Sequence, residues 1–118
     1  MGLKRTVSLT THKKIWEAAD IIWDLQKIPE LKLRMEELKV LHGEYTIKMR
    51  KGIPVDYVFD ISGAGPEGEK IIIDLKPSPA GTEIRITSKS FLPTDIIAKP
   101  GNNRKNIEEI IGYIERRL

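Results

Sequence analysis

The chain has 118 residues, of which 40% are hydrophobic and 31% charged, and 20 basic against 17 acidic side chains give a formal net charge of +3. This length and balance predict one domain over residues 1–118 with a single hydrophobic core. Because the sequence contains no cysteine, disulfides, thiol catalysis and thiolate metal sites are excluded.

No apolar run approaches the roughly 20 residues that cross a bilayer, and no signal-peptide core follows Met1. We therefore expect a cytoplasmic protein without a transmembrane segment. The polar residues favour Lys, Arg and Glu over Gln, and Ile is frequent among the apolar ones. This bias is typical of proteins from thermophiles.

The first third of the chain predicts a strand followed by a helix. Residues Lys4 to Thr10 alternate in polarity, as half-buried strands do. Thr10 and Thr11 are good N-cap residues, and apolar side chains then recur at helical spacing over His12–Gln26. Pro29 ends this helix or opens a second short turn.

The middle of the chain predicts consecutive antiparallel strands, because short alternating segments are separated by turn residues. His42 and Gly43 offer one tight connection, and Pro77–Gly81 is a breaker between two other segments. The predicted strands are Met35–Leu41, Glu44–Arg50, Val55–Ile61, Glu69–Lys76 and Thr82–Ser90.

The end of the chain predicts a second helix that begins near Asn102 or Asn103. Its apolar side chains form a narrow stripe, and positive charge in its final turn complements the helix dipole. The stripe consists of Ile107, Ile110, Ile111, Ile114 and Leu118.

This order of elements resembles that of a known superfamily. The matching features are Thr11–Glu17 after the first strand, Ile21–Leu25 with Ile28–Leu31, and Gly81–Ile86. On these, the chain resembles the START-like, or SRPBCC, proteins, which include the birch-pollen allergen fold, polyketide cyclases and lipid-transfer domains. The resemblance covers essentially the whole chain and implies an α+β helix-grip fold. In that fold a curved antiparallel sheet wraps around a C-terminal α-helix, with one or two short helices after the first strand.

The resemblance also implies a hydrophobic cavity between the sheet and the last helix. We therefore expect a protein that binds or transports a hydrophobic or amphipathic ligand, such as a fatty acid, an acyl thioester or another lipid. The same fold hosts enzymes, so a cyclase or hydratase acting on a polyketide-like or aromatic substrate is the alternative. An interaction module for another protein is a third interpretation, and a homodimer is left open.

The side chains expected to line this cavity are apolar or aromatic, although they would equally serve as simple core filling. They are Trp23, Tyr45, Met49, Tyr57, Phe59, Ile71, Ile73, Ile84, Ile86, Ile107, Ile111 and Ile114.

Catalytic and cofactor motifs are not recognisable in the sequence. Gly63–Gly68 has the GxGxxG spacing, but it joins two predicted strands and Pro66 removes a backbone donor, so we interpret it as a hairpin turn. His12 and His42 have no ligand spacing, and we expect no metal and no cofactor. The serines lack a nucleophile-elbow pattern, and we assign no catalytic residue.

Carboxylates are the candidates for proton transfer if the protein is an enzyme. Asp56 and Asp60 share one face of a predicted strand, and Asp74 interrupts an apolar strand. An inward-facing carboxylate would act as a general base, whereas the alternation favours exposure on the convex face. Arg85 would clamp an anionic head group or, as we prefer, form a cross-strand ion pair.

Basic pairs occur at several places along the chain and lack interleaved aromatic residues. They therefore predict a solvated surface and no nucleic-acid partner. The pairs are Lys4-Arg5, Lys13-Lys14, Arg50-Lys51 and Arg104-Lys105.

Overall fold

A computed structural model of the protein describes residues 4–51, 69–90 and 102–118. Within these ranges the chain forms an α+β fold with a five-stranded antiparallel sheet of strand order β1-β5-β4-β3-β2. A C-terminal helix packs on the sheet, which fits a helix-grip arrangement at a coarse level. The elements are β1 (Lys4–Thr11), α1 (Ile15–Trp23), two 3₁₀ turns (Asp24–Lys27 and Pro29–Leu31), β2 (Leu33–Leu41), β3 (Glu44–Lys51), β4 (Glu69–Ser78), β5 (Gly81–Ser90) and α2 (Asn102–Ile114).

The β2–β3 hairpin confirms the connection predicted at His42 and Gly43. Leu41 pairs with Glu44, so these two residues form the whole loop. Their φ angles are +53° and +76°, as a type I′ turn requires at both central positions. The predicted strand Val55–Ile61 and the loop Gly63–Gly68 lie outside the described residues.

The turn of the β4–β5 hairpin is shorter than the predicted breaker Pro77–Gly81. Pro77, Ser78 and Gly81 belong to the strands, and the turn consists of Pro79 and Ala80 alone. Pro77 is tolerated because the pairing of β4 with β3 ends at Leu75. A missing backbone N–H therefore breaks no hydrogen bond on that side.

Helix α1 is shorter than the predicted span His12–Gln26, since it ends at Trp23 and a 3₁₀ turn continues the chain. The N-cap is Lys14 rather than Thr10 or Thr11, and the Lys14 N–H donates to Glu17 Oε1 at 3.0 Å. The Thr11 hydroxyl instead accepts a hydrogen bond from the Lys13 N–H at 3.2 Å. It thereby shapes the connection between β1 and α1.

The core lies between the helices and one face of the sheet. On β4 the residues Ile71, Ile73 and Leu75 point inward, while the alternate residues point outward, as the period of two requires. The buried apolar residues are Ala18, Ile21, Ile22, Leu25, Leu31, Leu33, Ile47, Met49, Ile71, Ile73, Leu75, Ile84, Ile86, Ile107, Ile110 and Ile114. We call the face of the sheet that carries these residues the inner face and the opposite one the outer face.

Helix α2 covers β5 and β1 on the inner face. Ile107, Ile110 and Ile114 are each 1% exposed, whereas Ile111 is only partly buried. The predicted stripe is therefore centred on Ile110, and Ile111 lies at its side. None of the helices in the described ranges is long and apolar enough to cross a membrane.

Candidate ligand-binding groove

The side chains expected to line a central cavity are mostly packed inside the core. Seven of them belong to the buried cluster, and each is exposed by 1% or less. Water therefore contacts almost none of their surface. The seven are Met49, Ile71, Ile73, Ile84, Ile86, Ile107 and Ile114.

The other expected lining residues that the structure describes differ in their burial. Tyr45 and Ile111 are partly buried and pack against the core, but Trp23 is 42% exposed at the end of α1. The helix presents Ala18, Ile21 and Ile22 to the core, which turns Trp23 away from it. Tyr57 and Phe59 lie outside the described residues.

An open groove runs between β1 and the C-terminal end of α2. Its volume is about 400 Å³, and its apolar lining consists of Val7, Leu9, Ile111 and Leu118. All four side chains are partly buried and pack against the core. The polar lining residues are Thr10, Thr11, His12 and Glu115.

Strand β1 supplies one wall of this groove through its alternation. Val7 and Leu9 point to the inner face because they pair with Ile86 and Ile84, which are buried there. In the described sheet β1 is an outermost strand, so β5 is its one neighbouring strand and covers its inner side chains from one side only. This position leaves Val7 and Leu9 only partly covered.

Helix α2 and the turn that follows it supply the other wall with residues spaced by four and three. Ile111, Glu115 and Leu118 follow one another along a side of the helix next to the buried stripe. Helical hydrogen bonds continue past the end of α2, from the Glu115 N–H to the Ile111 carbonyl and from the Leu118 N–H to the Ile114 carbonyl. These bonds hold Leu118 in position over the groove.

The polar end of the groove is fixed by contacts of the β4–β5 hairpin with the connection between β1 and α1. The Thr82 hydroxyl donates a 2.8 Å hydrogen bond to the Lys13 carbonyl, and Thr82 is fully buried. Gly81 lies against the backbone of Thr11 and His12. The exposed imidazole of His12 therefore extends from a backbone segment that is held by β5.

A buried polar pair joins α2 to the sheet, and sequence reasoning missed it. Asn106 Nδ2 donates to Ser88 Oγ at 3.3 Å, and the two residues are 4% and 0% exposed. Ser88 lies in the alternation of β5 with Ile84 and Ile86, which assigns it to the inner face. Asn106 lies four residues before the buried Ile110, a helical spacing that would have placed it on the side of the buried stripe.

The carboxylates considered for proton transfer do not meet in this groove. Asp74 lies on the outer face, where the Thr46 hydroxyl donates to its Oδ1 at 3.1 Å. Asp56 and Asp60 lie outside the described residues. Arg85 is also on the outer face, and its guanidinium is 4.0 Å from Glu83 Oε1, a residue of its own strand. The expected cross-strand ion pair is therefore replaced by one along β5.

An ion pair holds the C-terminal end of the described chain against the first 3₁₀ turn. Arg117 Nη1 donates to Asp24 Oδ2 at 2.9 Å, and this hydrogen bond lowers the pKa of the Asp24 carboxyl against the opposing effect of burial. Lys27, 3.3 Å from Asp24, lowers that pKa further. A separate hydrogen bond joins β3 to the second 3₁₀ turn, where Lys51 Nζ donates to the Leu31 carbonyl at 2.7 Å.

Within residues 4–51, 69–90 and 102–118, no group of three or more His, Cys, Asp or Glu side chains is placed to hold a metal ion. His12 lines the groove and His42 occupies the β2–β3 turn.

Comparisons with known proteins assign no family. No protein-family model matches the chain, and no curated protein matches it. Among solved structures, the 18 kDa protein CC1736 from Caulobacter crescentus aligns with 97% of this chain and 91% of its own, at 7% sequence identity and a TM-score of 0.45.

Proposed function

We propose that the protein binds a hydrophobic or amphipathic small molecule, such as a fatty acid, an acyl thioester or another lipid, in the groove between β1 and α2. The observation that supports this proposal is the meeting of Val7, Leu9, Ile111 and Leu118 around an open space of about 400 Å³. Small-molecule sites are typically 300–1,000 Å³ and are lined mainly by apolar groups with a few polar ones.

The arrangement of the lining favours a ligand with an apolar tail and one polar end. The apolar side chains retain surface that water contacts, and a hydrocarbon chain would remove that surface from water at roughly 25 cal/mol per Å². His12 would hydrogen-bond a carboxylate or a thioester carbonyl at the polar end. Glu115 disfavours an anionic group beside itself, so the polar end of the ligand would lie nearer His12.

The proposed site differs in position from the central cavity expected from the sequence. We further propose that the chain is a START-like protein, in which the ligand lies between the sheet and the last helix. The position of the groove, between β1 of the sheet and the end of α2, supports this proposal. The alternative of a cyclase or hydratase has less support, because Asp74 lies on the outer face.

A binding measurement with a fluorescent fatty acid tests the proposal. We expect the wild-type protein to bind it at micromolar concentration. Leu118→Ala removes a groove side chain near the chain end and should weaken binding roughly tenfold, or about 1.4 kcal/mol. Leu38→Ala is the matched control, since Leu38 is 48% exposed on β2 and is not a groove residue.

Two results would contradict the proposal. One is a wild-type protein that binds no fatty acid at micromolar concentration and carries no lipid in native mass spectra after purification. The other is an equal loss of binding in Leu118→Ala and Leu38→Ala at unchanged melting temperatures.

A further inference from the structure

The outer face of the sheet carries one continuous row of basic residues, with a member from each of the five described strands. The strand register pairs Lys4 with Lys89, Lys89 with Lys70, Lys70 with Arg50, and Arg50 with Arg34. We call these five residues the basic row. Adjacent strands are about 4.8 Å apart, so four spacings give the row a length of roughly 19 Å.

The row lies on the outer face because its chain neighbours on the central strands point inward. Ile71, Met49 and Ser88 are buried, and each lies next to a row member in the sequence. Lys4, Arg34 and Lys89 are exposed, while Lys70 and Arg50 are partly buried. The cationic side chains of the row therefore leave the sheet on the side opposite to the groove.

The charge of the row is only partly neutralised by the described residues. Glu36 forms an ion pair with Arg50 at 3.0 Å. No acidic side chain of the described ranges forms an ion pair with Lys4, Arg34, Lys70 or Lys89. Because like charges placed directly opposite each other on strands repel, such a row favours the binding of an anion along it.

The neighbouring rows differ in charge, which restricts the shape of that anion. The next row holds Thr6, Thr87, Ile72, Lys48 and Glu37, and the one after it holds Ser8, Arg85, Asp74, Thr46 and Lys39. Each of these rows contains an acidic residue. A flat anionic membrane would meet Glu37 and Asp74 together with the basic row, whereas a linear polyanion would follow the basic row alone.

We propose that the basic row binds the phosphate backbone of a double-stranded nucleic acid. A stretch of duplex roughly 19 Å long along its axis carries about five or six phosphates on each strand, and those that face the sheet would contact the row. The outer face of the described strands carries no aromatic side chain on which unpaired bases would stack. The contacts would therefore be to backbone phosphates and independent of base sequence.

This proposal is separate from ligand binding in the groove, and it departs from the sequence interpretation. The basic pairs Lys4-Arg5 and Arg50-Lys51 are 46 positions apart in the sequence. The strand order and register bring one member of each pair into the same row. The other member does not join it, because successive residues of a strand point to opposite faces.

Fluorescence anisotropy with short duplex DNA and duplex RNA tests the proposal. At about 50 mM salt we expect dissociation constants of roughly 10⁻⁶ to 10⁻⁴ M that do not depend on base sequence. The double variant Lys70→Gln/Lys89→Gln should bind at least about tenfold more weakly. Its log-log salt dependence should be shallower by about two, the value for two lost phosphate contacts.

The double variant Lys39→Gln/Lys76→Gln is the control, because it removes the same charge from other rows of the outer face. It should retain most of the affinity. Comparison of the DNA and RNA duplexes shows which of the two supplies the phosphates. Absence of duplex binding at 50 mM salt, or equal losses in the two double variants, would overturn the proposal. Binding to phosphatidylserine vesicles without binding to either duplex would overturn it as well.

Discussion

Gly81 lies so close to His12 that a Cβ at position 81 would come within 2.6 Å of the His12 Cα. The φ angle of Gly81 is +142°, which residues with a side chain rarely adopt. Gly81 therefore lets the β4–β5 hairpin approach the segment that carries His12 into the groove.

We expect Gly81→Ala to destabilise the protein by about 3 kcal/mol, since it adds both strain and a backbone clash. The same substitution at Gly112 is the control, because nothing lies within 4 Å of its added Cβ and it is in a helix. Gly112→Ala should stabilise by about 0.5–1 kcal/mol. Urea denaturation of both variants measures this contrast, and equal effects would contradict the close approach.

The packing of α2 predicts unequal costs for two adjacent isoleucines. Ile110→Ala should cost about 3 kcal/mol because Ile110 is 1% exposed in the core. Ile111→Ala should cost about 1 kcal/mol, since part of that side chain already contacts water. A larger loss of stability in Ile111→Ala than in Ile110→Ala would show that α2 is rotated from the orientation described.

The buried pair Asn106 and Ser88 should be energetically coupled. The single variants Asn106→Ala and Ser88→Ala, together with the double variant, form a double-mutant cycle. Their hydrogen bond predicts a coupling energy of about 1 kcal/mol in denaturant unfolding. Additive effects of the two substitutions would mean that this contact does not hold α2 to β5.

The ion pair of Arg117 with Asp24 should make stability depend on acidic pH. The hydrogen bond lowers the pKa of Asp24 in the folded protein from its ordinary value of 3.8. The contribution of the ion pair to the free energy of unfolding is therefore present above pH 3.8 and is lost as the pH falls through the lowered pKa of Asp24. Because the pair is on the surface, we expect less than about 1 kcal/mol.

Arg117→Gln tests this assignment in two measurements. The variant should be less stable than the wild type at neutral pH, and the difference should shrink as the pH falls below 3.8. In an NMR titration, the pKa of Asp24 should rise in the variant. A stability difference that is the same at neutral and strongly acidic pH would contradict the ion pair.

Much of the sheet could be predicted because each strand has one covered face. Ile47 and Met49 alternate with Thr46 and Lys48, and this local pattern alone assigns the inner side of β3. The turn at His42-Gly43 was equally readable, since few residue pairs adopt two positive φ angles. The position of Pro77 inside β4 could not be predicted, because it depends on where the pairing of β4 with β3 ends.

The candidate site could not be predicted in the same way. Ile110 and Ile111 are both apolar, and the tilt of α2 on the sheet decides which of them is fully buried. The groove depends on β1 being an outermost strand of the described sheet, which leaves Val7 and Leu9 partly uncovered. Strand order is a long-range property that alternation within β1 does not contain.

An NMR titration with dodecanoic acid is the most direct test of the proposed function. Methyl signals of Val7, Leu9, Ile111 and Leu118 should shift with increasing ligand, since these side chains line the groove. Signals of the packed residues Ile71, Ile73 and Ile84 should move much less. Shifts confined to Ile71, Ile73 and Ile84, or no shifts at all at millimolar ligand, would contradict a binding site between β1 and α2.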